Sequence, residues 1–137
     1  MITPKDKDKV LNAIIIRYEE SENHNFILEY DNVFHNREIS CDEFQLILEH
    51  FKEKRLLSYV SHLTDSDTQI HVSANLFDFF NHGGFVAQEE ILLANLQKLG
   101  YELEILSKEA SPDLLDRIRR IAEIAASVTT ALGLFRD

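Results

Sequence analysis

His50 follows Glu49 directly and precedes Glu53 by three residues, so one helix face there could offer an imidazole and carboxylates to a metal ion. Cys41 is the other reactive candidate. It falls in the first turn of an expected helix, where the positive helix end can lower a thiol pKa. Neither set is complete. Zinc sites usually declare themselves by paired Cys/His spacing, and His24, His35, His62, His71 and His82 are scattered instead through expected loops and strands. Those histidines are expected at the surface or packed in a hairpin. A nucleophilic thiol also needs a base and an orienting group, so Cys41 reads as half-buried and inert. No phosphate-binding glycine loop, nucleophile elbow or metalloprotease motif occurs, and Gly83-Gly84 reads as a helix stop. The expectation is a protein without catalytic residues, metal or cofactor.

The elements that carry these residues begin with "SCDEFQLILEHFKEKR", residues 40–55. Ser40 and Glu43 form the Ser-x-x-Glu pattern of a capping box. Phe44, Ile47, Leu48 and Phe51 make one apolar stripe at helical spacing, and Lys52, Lys54 and Arg55 suit the negative helix end. Upstream, Thr3-Pro4 and Asp6 open a first helix whose apolar set runs from Val10 to Tyr18. Residues 23–36 lack a helical stripe, and "FILEY" within them suits a short strand or an irregular link. Downstream, β-type runs at residues 57–62 and 69–72 flank the polar turn "TDSD", which predicts a hairpin. Ser73 is placed to cap a short helix ending before Gly83.

The remainder has a different period. Leu92, Leu96, Leu99, Leu103 and Leu106 step by 4, 3, 4 and 3, and Leu114, Ile118, Ile121, Ala125, Val128, Leu132 and Phe135 continue the same alternation. "SKEASPD" interrupts the two seams, with Ser111 as cap and Pro112 at the first helical position. That predicts an antiparallel helical hairpin, with Gly100 as a local weakness. Two helices alone cannot bury both seams together with Ile91, Leu93, Leu115 and Ile124, so a homodimer completing a four-helix bundle is expected.

Charge narrows the function class. The 137 residues carry a formal net charge of −10, and neither residues 1–84 (net −7) nor residues 85–137 (net −3) is basic. Non-specific duplex binding draws on Lys and Arg against phosphates. One cysteine allows no internal disulfide, the polar "MITPKDKDKV" lacks the apolar core of a secretory signal, and no apolar run reaches the ~18 residues of a membrane span. A cytoplasmic location is expected.

The order of helix, link, capped helix ending "KEKRLLS", hairpin and short helix closed by "NHGGF" resembles the winged-helix (winged helix-turn-helix) domain, and more narrowly the small winged-helix proteins of bacterial chromosomes and prophages. The resemblance covers about residues 4–85. It implies an α+β, mainly α fold, with a winged-helix-like domain at residues 1–84 followed by the helical hairpin at residues 85–137. It also implies that residues 40–55 correspond to the helix that DNA-binding members lay in the major groove.

Turning about 100° per residue with the apolar stripe inward, that helix presents Asp42, Gln45, Leu46, Glu49, His50 and Glu53 outward. Base readout relies on Arg, Lys, Asn or Gln, and only Gln45 fits. Duplex reading by this helix is therefore disfavoured. The leading expectation is a non-enzymatic interaction or regulatory protein whose acidic helix meets a protein partner. A dimeric DNA-binding regulator, using Lys52, Lys54, Arg55, Arg117, Arg119 and Arg120, is the first alternative. A peripheral membrane-associated sensor, resting on the small-residue run from Ala122 to Gly133, is the second, and membrane contact is disfavoured because that run is short and charged.

Overall fold

The computed structural model describes residues 1–133; Phe135 of the predicted seam lies outside the described residues. The chain is α+β and mainly α, with 67% helix, 13% strand and a small three-stranded antiparallel sheet. It divides into two compact units, Met1–Val86 and a second that begins at Ala87.

The first unit opens with α1 (Pro4–Ser21). Thr3 and Asp6 cap it reciprocally: the Thr3 side chain accepts from the Asp6 amide at 3.2 Å, and the Asp6 carboxylate accepts from the Thr3 amide at 2.9 Å. The open link resolves into β1 (Asn25–Glu29) and α2 (Tyr30–Val33), a single turn. α3 (Cys41–Glu53) follows, then β2 (Leu57–His62), β3 (Asp67–Val72) and α4 (Ala74–Asn81). The sheet order is β1-β3-β2, with Phe26 opposite Ile70 and Val60 opposite Ile70 on the other side. This arrangement is compatible with a winged-helix-like fold.

Two expectations need correction. β3 begins at Asp67 rather than Gln69, because Thr68 is a buried, hydrogen-bonded strand residue and not part of a solvated turn. Ser73 occupies the N-cap position of α4, but its side chain makes no cap bond. Its hydroxyl is drawn instead to the carbonyls of Arg55 and Leu56, at 2.6 and 2.8 Å. Arg55 has a left-handed backbone (φ 64°), which turns the chain out of α3 and leaves those carbonyls in need of a donor.

Residues from every element of this unit meet in one core. Phe44, Ile47, Leu48 and Phe51 are all buried, each worth about 1.5–3 kcal/mol on full burial. A 13-residue helix is marginal alone, so this stripe, not propensity, holds α3. Its start is fixed locally: the Glu43 amide donates to the Ser40 hydroxyl and the Ser40 amide donates to the Glu43 carboxylate, both at 3.1 Å.

That second bond is the main reason the Glu43 carboxyl sits below its ordinary pKa. A depressed folded pKa contributes stability above the unfolded value, and the contribution is lost as pH falls through the folded one. Glu43→Gln should therefore melt below the parent at neutral pH, with the gap closing as the solution is acidified below about pH 4. A gap that stays constant in thermal melts across that range would show that the carboxylate charge is irrelevant to the cap.

The second unit holds most of α5 (Gly84–Ser107) and α6 (Pro112–Gly133). α5 is helical through Gly100. Gly100, Leu103 and Ser107 share a cleft of about 310 Å³ with Leu115, Ile118 and Ala122, which places the two helices antiparallel. Among the described residues no helix is long and apolar enough to cross a membrane.

Candidate functional site

The outward side of α3 is built around Leu46. It is 60% exposed, while its neighbours along the helix, Ile47 and Leu48, are buried. Asp42, Gln45, Leu46 and Glu49 line a shallow depression of about 380 Å³, and the fifth wall residue is His62 from β2. Gln45 donates through Nε2 to the Asp65 carbonyl at 3.4 Å, so the loop of the hairpin closes one side. Glu53 is exposed and lies one helical turn beyond Glu49.

His62 joins the two halves of this face. Its Nε2 lies 2.9 Å from Glu49 Oε1, and its Nδ1 lies 2.9 Å from Thr68 Oγ1. Hydroxyl, imidazole and carboxylate in series are the group types of a nucleophile relay. The Thr68 side chain, however, has no exposed surface, so its hydroxyl cannot reach a substrate from this position. The series instead ties α3 to the β2–β3 hairpin and satisfies the buried Thr68 hydroxyl. His62, Thr68 and Asp65 were not among the expected face residues. The signal that could have placed His62 is the β2–β3 register, which sets it opposite Thr68.

His50 leaves the face. Its ring lies 6.1 Å from that of Phe85, and burial first, then Lys7 and Lys54, pushes its pKa down. It therefore does not join Glu49 and Glu53 in a metal-binding group, and among the described residues no three His, Cys, Asp or Glu side chains are grouped to hold an ion. Cys41 is half-buried against the core. Elsewhere His24 sits 5.0 Å from the Tyr18 ring and 6.4 Å from His71, and His82 Nδ1 lies 2.6 Å from the Asp78 carbonyl.

Within the first unit, the cations considered for nucleic acid do not line the depression on α3's outward side. Lys54 lies over the rings of Phe79 and Phe85, 5.7 Å from each centroid. Lys52 and Arg55 are exposed beside it at the helix end. Arg117, Arg119 and Arg120 are exposed on α6, in the other unit. Of the seam residues, Leu103, Ile118 and Ala125 are buried, Leu96, Leu99, Val128 and Leu132 are half-buried, and Leu92, Leu106, Leu114 and Ile121 are exposed.

The chain has no significant match among protein-family models, curated proteins or solved structures.

Proposed function

We propose that this is a non-enzymatic interaction or regulatory protein in which a winged-helix scaffold uses α3 to dock protein rather than DNA. The partner surface it suits is a basic segment carrying an apolar side chain. The supporting observation is Leu46: a large side chain in water, with Asp42 and Glu49 beside it and no Lys or Arg in the depression it lines. An apolar anchor surrounded by charge is how a polar rim encloses a hot spot, and the carboxylates would steer a cationic partner. DNA reading would need the opposite sign at these positions.

The test compares two probes at low salt by fluorescence anisotropy. One is a labelled peptide alternating lysine, arginine and leucine; the other is mixed-sequence duplex DNA. The peptide should bind and the duplex should not. Joint reversal of Glu49 and Glu53 to lysine should weaken the peptide by about tenfold or more, and less so at high salt. Leu46→Ala should weaken it at any salt, and reversal of Glu19 and Glu20 at the end of α1 should matter far less. Equal losses from both reversals would mean diffuse charge attraction, not a site. Salt-sensitive duplex binding would support the DNA-regulator reading in its place.

A further inference from the structure

The second unit buries little on its own, and what it leaves open is ordered. Gly100, Leu103 and Ser107 of α5 and Leu115, Ile118 and Ala122 of α6 line one shared cleft, and antiparallel order along the two helices pairs Gly100 with Ala122, Leu103 with Ile118 and Ser107 with Leu115. Carried along two helices of about 3.6 residues per turn, that register places Leu106 beside Leu114, Leu99 beside Ile121 and Leu92 beside Val128. These three layers are one heptad apart on a single side of the hairpin, next to the layers of Leu103 with Ile118, both buried, and half-buried Leu96 with buried Ala125. Four of their six side chains are exposed, Leu106 at 56% and Ile121 at 44% among them, while Leu99 and Val128 are half-buried. The hairpin thus closes half of each seam and leaves the other half as an apolar strip.

We propose that a second copy of this chain covers the strip, with the two-fold axis running along the helices so that both α5–α6 turns lie at the same end of a four-helix bundle. A unit of this size with three buried side chains among its described residues falls short of a self-sufficient core, and association is the usual remedy. The strip repeats in equal layers on two antiparallel helices, so each layer meets its own copy across such an axis, as an isologous interface requires.

Charge fixes the orientation. By the helical repeat, Glu102 borders the strip on the α5 side and Arg117 on the α6 side, at nearly the same level. An axis along the helices packs α5 beside the partner's α6, bringing each Glu102 against the partner's Arg117. An axis across the helices packs α5 on α5 and separates these charges. Flanking charges of this kind choose orientation more than they add affinity. This proposal does not depend on the α3 face.

The experiment is sedimentation equilibrium of the full chain across a concentration series. The expected mass is twice the 15.9 kDa of one chain. Glu102→Arg and Arg117→Glu should each weaken the dimer about tenfold, and the double variant should recover most of the loss. Tyr101→Arg, off the strip and exposed, should leave the mass unchanged. Leu99→Arg should give a monomer, and because that change can also unfold the hairpin, the surface charge pair carries the decision. A monomer at every concentration overturns the proposal. So does a dimer indifferent to Leu99→Arg, or single reversals that fail to rescue one another.

Discussion

Alanine at position 84 is expected to destabilise the first unit by about 2–3 kcal/mol, whereas the same change at position 100 should stabilise α5 by about 1 kcal/mol. Gly84 has φ +77°, a backbone that costs an L-residue about 1–2 kcal/mol. Its added Cβ would also lie 2.5 Å from Asp8 Oδ1 and 3.3 Å from Leu11 Cδ2. That carboxylate accepts the Phe85 amide at 2.6 Å and the Val86 amide at 3.1 Å, so it caps the first turn of α5 from α1. Moving it strips two helix-end donors of their partner. At Gly100 nothing lies within 4 Å of the added Cβ, and only the helix-propensity gain remains. Urea midpoints measure the first effect. Hydrogen exchange of α5 amides measures the second, as roughly fivefold greater protection near position 100. Two changes of the same sign would refute this account of both glycines.

The parts of the fold that were legible in sequence are those with local causes. The Ser40–Glu43 capping box and the Phe44–Phe51 stripe are decided within one helix, and both stand as read. β1 is different. Its five residues owe their form to β3, 38 to 46 residues away (Phe26 opposite Ile70), so no window of sequence contains the reason. α2 is one turn long and cannot display a period. The same distinction runs through the candidate site. Helical geometry sets Asp42, Gln45, Leu46 and Glu49 on one side, and all four line the same depression. That geometry also points His50 outward, and it fails there because Phe85, which lies 35 residues downstream, packs against the imidazole. His62 enters the face only through the pairing of β2 with β3 and the docking of α3 on β2. Such long-range contacts also explain Ser73, whose hydroxyl answers carbonyls exposed by the left-handed Arg55.

Phe44→Ala should cost the first unit about 3–5 kcal/mol, a large share of the roughly 5–15 kcal/mol that holds a domain together. Phe44 is fully buried. Its ring meets Tyr30 edge-on at 5.6 Å and Phe34 at 6.2 Å, so truncation opens a cavity bounded by two rigid aromatics that cannot collapse into it. Tyr30 is further pinned by its hydroxyl, which donates to the Ile39 carbonyl. Burial pushes the phenol pKa up, keeping it a donor. The contrast is Leu46→Ala, two residues along the same helix. Leu46 packs little surface, and its loss should move the denaturation midpoint by less than about 0.5 kcal/mol equivalent while weakening the basic peptide probe. Measured together, the pair separates the side of α3 that holds the fold from the side offered to a partner. If Leu46→Ala destabilised as much as Phe44→Ala, the outward face would be part of the core, and the docking proposal would lose its anchor.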